Sequence, residues 1–561
     1  MRANIMSQDY IELTTVETQY RGPHGDPLLE STTTFGDPKP EPDTGGTTTG
    51  DAANMSRDEV EKLPLWQAVK LYPKVVAYCL VLSSIFLGSG YDSIIVGSIT
   101  GVDSFLQDFG YRFDGELIVP AVWYSLWLGL PPAGMALGSL TGGELQDRIG
   151  RKPTLLLGSL LSAAAVAVIF FSHVAPTGDG RRATFTAGMT LQGYSVGIIK
   201  NTVLTYVSEN APAAIRGSAM ALLPTCSLLG QLVGALTLYG INDVKGKSGY
   251  LTVFGSQWIF SFAAAVVSVV MPDSPAYYLK REQPVKAARS ATRLFAPRVD
   301  PRAELAKIDE ALREEQATMR GSSYLSCLRG PHLRRTLIVA FVNMLPAFFG
   351  LDLLGNASTF LKILGMDSGH ALLVLILGIV IGITGNATGI WVLTRVGRRP
   401  ATLWTMGAAG VFWAGLGVTG SFSGSSVPYV SAGAMMAVIA ACGLGCWPAS
   451  YAVMGEASSL RLRSRTQALG GVASQVSTVV MSLILPYLFN PDAADLGGRT
   501  GFVYAGLCTV AVVLAFLWLP EMKGRSALEI DLMFQEGLPA RRFRTWKMPA
   551  QEETVAGPDD V

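Results

Sequence analysis

Gly150-Arg151-Lys152-Pro153 and Gly397-Arg398-Arg399-Pro400 are one short phrase written twice, 247 residues apart (397 − 150). Working outward, Glu209 and Arg216 recur at the same spacing as Glu456 and Arg463. Pro272-Asp273 recurs as Pro520-Glu521 one residue later, at 248. Three recurrences within one residue of a single spacing are not chance. They describe a chain built from two parallel repeats, and repeats of six helices about an axis along the membrane normal characterise one large class of membrane carriers.

The sequence between the repeated phrases fits that design. Of 561 residues, 49% are hydrophobic and 16% charged, against about 25% charged in a typical soluble domain. The charges come in bursts between apolar runs, and a run of about 20 apolar residues is what a membrane helix needs. Such runs lie near 75–97, 118–141, 153–173, 184–206, 217–239 and 254–271, then near 336–356, 370–393, 401–420, 429–452, 466–489 and 501–519. The expected fold is therefore an all-α membrane protein with twelve transmembrane helices in two six-helix pseudo-repeats. Its expected divisions are a disordered N-terminal tail (1–70), a six-helix bundle (71–272), a linker with short amphipathic helices (273–335), a second bundle (336–520) and a C-terminal tail (521–561).

Loop charges set the expected orientation. Arg148, Arg151, Lys152, Arg216, Arg395, Arg398, Arg399, Arg461, Arg463 and Arg465 fall on one side together with the long linker, so the positive-inside rule places both termini in the cytoplasm. In the linker, Leu305, Ile308 and Leu312 form an apolar stripe on a charged helix, expected to lie against that face. Residues 1–62 contain no signal-peptide core. Lys plus Arg (44) balance Asp plus Glu (43), which excludes a nucleic-acid partner read from bulk charge. The cysteines and the four histidines show no metal-ligand spacing, and neither a nucleotide loop nor a nucleophile motif is present. An enzyme, a metal site and a bound cofactor are not expected. The partners expected are a small polar organic solute, a proton and the lipid bilayer, with the chain acting as a monomer in the plasma membrane.

Ionisable groups inside a membrane are costly and are read as functional. With no histidine deep in an apolar run, proton handling falls to carboxylates. Gly90-Tyr91-Asp92 in span one and Gly350-Leu351-Asp352 in span seven share a Gly-x-Asp pattern at equivalent places in the two repeats. Both aspartates are expected to face the central axis, where a carboxylate can take up and release a proton as access alternates. Lys200 lies too far along its helix to pair with Asp92. The expected substrate-binding set is Trp123, Gln231, Gln257, Asn356, Trp447 and Tyr451, because hydroxylated solutes are held by amides and aromatic faces in apolar cavities; Tyr124, Gln192 and Asn343 are further intramembrane polar or aromatic residues. At the basic side, Asp147, Arg148, Arg151, Glu209, Arg216, Arg398, Glu456 and Arg463 can pair across helices and between repeats, forming a cytoplasmic gate.

Gly142-Gly143-Glu144-Leu145-Gln146-Asp147-Arg148-Ile149-Gly150-Arg151-Lys152 resembles the loop 2–3 signature of the major facilitator superfamily. Tyr206-Val207-Ser208-Glu209, Arg216-Gly217 and Pro272-Asp273-Ser274-Pro275 narrow the likeness to its sugar porter family. Arg461-Leu462-Arg463-Ser464-Arg465-Thr466, Pro486-Tyr487-Leu488-Phe489-Asn490-Pro491 and Leu519-Pro520-Glu521-Met522-Lys523-Gly524-Arg525 are similar to segments of fungal alpha-glucoside (maltose-type) permeases. The resemblance runs over roughly residues 65–545. It implies the major facilitator fold and proton-coupled uptake of a sugar or alpha-glucoside. The sequence departs from the family where many members carry polar ligands. Met189 stands for an Arg, Pro224 for a Gln, Pro346-Ala347 for a Gln pair and Asp352 for an Asn. Those departures keep open a non-sugar organic solute, such as a specialised metabolite, carried on the same scaffold.

Overall fold

A computed structural model of the chain describes residues 65–546, apart from 245, 320–323, 423, 460–461 and 526. Most of the expected N-terminal tail, the end of the C-terminal tail and Arg461 lie outside the described residues. Residues 65–70, counted with the tail from sequence, instead open a short helix, Leu65–Leu71. Ala68 on it is fully buried, so an apolar contact orders this stretch ahead of the first span.

Span one is realised as α1 (Pro73–Ser84) and α2 (Phe86–Ser98), joined at Ile85. A short helix Asp103–Phe109 and an antiparallel hairpin, β1 (Tyr111–Phe113) and β2 (Glu116–Ile118), lead to α3 (Ala121–Ile149). Then come α4 (Arg151–Phe171), α5 (Gly178–Asn210), α6 (Ala213–Ile241) and α7 (Ser248–Val270). Helices Pro275–Lys280, Pro284–Phe295 and Pro301–Met319 follow. On the last of these Leu305 is buried, Ile308 packs beside it, and Glu304 accepts a 3.0 Å hydrogen bond from Tyr72 just ahead of α1. Leu305 and Ile308 of the stripe thus join the apolar cluster that also holds Tyr72 and Val75 at the start of span one.

The second series starts with α8 (Gly330–Phe348), α9 (Leu351–Gly355) and α10 (Ala357–Ile363). It continues through α11 (Ser368–Val396), α12 (Arg398–Thr419), α13 (Val427–Leu444), α14 (Cys446–Ala457), α15 (Arg463–Phe489) and α16 (Thr500–Trp518). Among the described residues, nine helical stretches are long and apolar enough to cross a membrane. With α3, α5 and the interrupted α8–α10, which carry more polar groups, the set fits twelve crossings. Leu140, Ile259, Val411 and Trp404 point outward at 60–80% exposure, a surface suited to hydrocarbon rather than water.

Span seven departs from a continuous helix. Gly350 adopts φ +82°, and a side chain there would lie 2.9 Å from the Tyr504 ring and 3.0 Å from Trp413. Only glycine satisfies both the left-handed backbone and the close approach. The chain therefore breaks between Phe348 and Leu351 and again at Asn356, which carries the span to Ile363, beyond the 356 read from hydropathy.

The repeated Pro-acid phrase has a structural purpose. Asp273 Oδ1 accepts from the backbone N–H of Arg151 at 2.9 Å and of Lys152 at 3.4 Å. Glu521 accepts from the N–H of Arg398 at 3.2 Å and of Arg399 at 3.1 Å. Each acid caps a helix that begins just after a glycine of positive φ, Gly150 (+98°) or Gly397 (+102°), where free N–H groups and the helix dipole favour an anion. Burial pushes the Asp273 carboxyl above its ordinary range, and the N–H groups of Ser274, Arg151 and Lys152 pull it back. Asp273→Ala and Glu521→Ala are each expected to cost about 1–2 kcal/mol, as lost caps do, read as earlier thermal unfolding of detergent-purified protein. Unchanged melting in both variants would remove the capping role.

Candidate functional site

Asp92 sits midway along α2. A side chain at Gly90 would lie 1.8 Å from the Ser227 carbonyl oxygen on α6, so α2 and α6 approach as only a glycine allows. With α2 so placed, the Asp92 carboxylate turns toward α5 and α7. Gln192 Nε2 donates to Oδ2 at 2.7 Å and Gln257 Nε2 donates to Oδ1 at 2.9 Å. Both amides are buried. Behind them Ser162 donates to Gln192 Oε1 at 3.1 Å and bonds Ser261 at 2.7 Å, fixing which end of the Gln192 amide faces the acid. Gln257 Oε1, by contrast, is buried and has no partner among the described residues. Among the described residues no cation pairs with Asp92. Lys200 instead places its ammonium 5.4 Å from the Phe86 ring centroid, six residues before Asp92 on the same helix, which agrees with the absence of an Asp92–Lys200 pair.

The hairpin end of the molecule is closed by contacts between α2 and α10. Thr100 and Thr359 share a 2.7 Å hydrogen bond, Thr359 donates to Gly97 O at 3.2 Å, and Lys362 donates to Gly101 O at 2.9 Å. Tyr124 adds a bond to Gly97 O at 3.0 Å and reaches Asn356 Oδ1 at 3.4 Å. A second closure joins the loop after α15 to the hairpin. Asp492 accepts from Tyr111 Oη at 2.9 Å and from the N–H of Ala121, at the start of α3, at 3.0 Å, while Asn490 donates to Val119 O at 3.0 Å. Burial, then the Asp492 carboxylate, push the Tyr111 hydroxyl up to about 12.

Between the two series of helices lies a narrow cavity of about 50 Å³, bordered by α2, α6, α9, α10, α11, α13 and α14. Gln231 and Trp447, two of the residues expected from sequence to bind the solute, line it; the rest of its wall is apolar or glycine. The other expected binding residues lie apart from it. Gln257 is committed to Asp92. Asn356 spends its amide on the Asp352 carbonyl at 2.6 Å. Tyr451, one turn after Trp447, is 57% exposed. Trp123 belongs to a separate open groove between α3 and α5, with Leu130, Thr190 and Tyr194; it is the residue that the helical positions misplace most, because hydropathy shows depth along a helix and not which face looks inward. Asp352 is half-buried on α9, and among the described residues its carboxylate has no hydrogen-bond or ion partner. Nearby, Tyr504 Oη is buried and likewise unpartnered among the described residues.

At the basic end the residues expected to form the gate fall into two clusters, one in each repeat. Arg151 forks onto Glu209 with contacts of 2.6 and 3.0 Å and donates to Gln146 O at 3.0 Å. Arg398 forks onto Glu456 with contacts of 2.6 and 3.1 Å and reaches Leu393 O at 3.5 Å. Leu393 is Gln146 displaced by 247, so the repeat holds down to single hydrogen bonds. Asp147 joins Arg151 at 3.3 Å from an exposed position, and Arg148 pairs with Glu144 in solvent. Arg216 and Arg463 bond nearby carbonyls, Ala211 O at 3.2 Å and Gly455 O at 3.1 Å. Each forked pair lies within its own repeat, and neither joins the two repeats.

A lipid-suited exterior, a carboxylate held by amides inside a helix bundle, and two repeats meeting at a cavity closed from one end define a multi-pass membrane transporter of the major facilitator type. The chain belongs to the Sugar (and other) transporter family, which matches residues 76–534. It is similar to the MFS transporter fmqE of Aspergillus fumigatus, 27% identical over 88% of this chain and 93% of that one. It is also similar to the maltose permease MAL61 of Saccharomyces cerevisiae, 26% identical over 88% of this chain and 81% of that one. Among solved structures, the inward-open xylose transporter XylE from E. coli matches with a TM-score of 0.66 at 17% identity, covering 82% of this chain and 99% of that one; this likeness speaks to the fold. Members of such a family are transporters, not enzymes.

The sequence marks Gln192 and Gln257 as intramembrane amides but does not show that both serve Asp92, and Ser162 and Ser261 escape it altogether. Their common signal is a polar side chain inside an apolar run. The closure by Asn490 and Asp492 escapes it too, because loop residues carry no periodicity.

Proposed function

We propose that this chain is a secondary active transporter that couples proton entry to uptake of a sugar or alpha-glucoside by alternating access, acting as a monomer in the plasma membrane with both termini cytoplasmic. The observation that carries the reading is Asp92, an acid deep in a helix bundle held only by two neutral amides. A carboxylate without a fixed counter-ion can bind a proton without leaving an orphaned cation behind. Asp92 is the proton site. Asp352 is a second proton site or the partner of a hydroxylated or cationic group, and Gln231 and Trp447 contact the solute. Two six-helix bundles, 71–272 and 336–520, rock about the cavity. The closure at the hairpin end supports a state open toward the basic end. The likeness to a maltose permease supports the sugar reading.

A second reading, a non-sugar organic solute on the same scaffold, is favoured by the apolar cavity wall and by the likeness to a transporter whose name carries no sugar. Uptake by a sugar-transport-deficient host across a panel of sugars, with the accompanying pH change recorded, separates the two. Sugar entry with alkalinisation of the medium supports the first reading; no sugar entry leaves the second.

A further inference from the structure

Intramembrane amides are the natural partners of sugar hydroxyls, and among the described residues four that lie near the centre of the bundle already hold protein partners. Gln192 and Gln257 hold Asp92. Asn343 bonds Val339 O at 2.8 Å on its own helix. Asn356 bonds the Asp352 carbonyl and accepts from Tyr124. Among the amides, Gln231 alone lines the cavity. Sharing the wall with it are Leu228, Leu351, Leu354, Ile379, Met435 and Met436.

One amide offers one acceptor and two donor hydrogens, and the Trp447 indole adds one donor. A bare disaccharide buried in such a wall would leave most of its hydroxyls without partners, which is costly. At about 50 Å³ the cavity admits a solute only as the helices around it part; one with a single hydrogen-bonding end and a broad apolar body would then satisfy Gln231 and cover the leucines and methionines. We infer that the cavity selects an amphipathic glycoside, a sugar bearing an aryl or alkyl group, over a bare mono- or disaccharide. The methionines suit this role, since unbranched polarizable side chains adapt to an irregular apolar ligand. The inference rests on the reading above that this cavity is the substrate site.

The test is ligand binding to the full-length protein purified in detergent, by displacement or ligand-induced thermal shift, with methyl, butyl and p-nitrophenyl α-glucoside and with maltose. The p-nitrophenyl compound is expected to bind at least about tenfold more tightly than the methyl compound, as burial of an added ring implies, and more tightly than maltose. Met436→Gln, nearly the same size but polar, should narrow that preference; Leu228→Gln provides the same test if the first variant does not fold. Equal or tighter binding of maltose overturns the inference, as does failure of every compound to bind. A preference that both variants leave untouched moves the apolar ligand to another site. That result would overturn the cavity assignment while leaving proton coupling, which is read from pH change and Asp92, unaffected.

Discussion

Asp92→Asn is expected to abolish proton-driven accumulation while leaving exchange of solute across the membrane intact. A potential of 100 mV contributes about 2.3 kcal/mol per proton moved, and at 1.36 kcal/mol per decade this supports roughly 50-fold accumulation. The variant should fall to about one, because an amide at position 92 carries no titrating proton. The surroundings explain how protonation is read by the protein. Both flanking amides donate to the ionised acid. When the acid gains a proton, one amide must turn to accept it. Gln192 is pinned by Ser162, whereas Gln257 Oε1 is buried with no partner among the described residues and is free to accept. Asp92→Glu, which keeps the titrating group, should retain partial coupling. Full proton-driven uptake by Asp92→Asn, measured against imposed pH gradients, would rule out this residue as the proton site.

Much of this architecture is legible in the sequence, and the physical reason differs by feature. The spans are readable because hydrocarbon demands long apolar helices, and the repeat because its charged phrases sit where helix ends need them. Asp273 and Glu521 are visible as a repeated phrase, but their role as caps appears only when each acid folds back onto a helix start 121–123 residues away in sequence. Asp92 stands out by the cost of burying a charge. What surrounds it does not, since choosing Gln192 and Gln257 over Gln231 depends on helix rotation, and hydropathy over a buried bundle is nearly uniform around each helix. Trp123 lies in a different groove from Gln231 and Trp447, a separation that depends on helix rotation in the same way. Span seven reads too short because a glycine break leaves no mark on mean hydropathy.

The departures from the family's polar positions acquire meaning once the helices are in place. Met189, three residues before Gln192 on α5, is buried, and among the described residues no cation pairs with Asp92. Pro346, which stands where many members of the family carry a Gln, lies inside α8, four residues before the Gly350 break, where a residue without an N–H weakens the helix.

The other large effect belongs to the basic end. Arg151 has a side chain only 2% exposed and Glu209 one 14% exposed, while Arg398 and Glu456 stand at 20% and 28%. Removing one member of a buried ion pair leaves an uncompensated charge and typically costs about 3–5 kcal/mol, and less as solvent reaches the pair. Arg151→Ala and Glu209→Ala are therefore each expected to destabilise the purified protein strongly, with the double variant little worse than either single one. The matching changes at Arg398 and Glu456 should have the same sign and smaller size. Since both forks lie within a repeat, their first effect is on the rigidity of each repeat's basic end, and a gate acts through that rigidity. Cysteine accessibility from the two sides of the membrane measures the balance of states. If Glu209→Gln and Arg398→Ala leave that balance unchanged while stability falls, the clusters are struts and not a gate. If the balance moves in a variant that still melts normally, the forks are part of the switch.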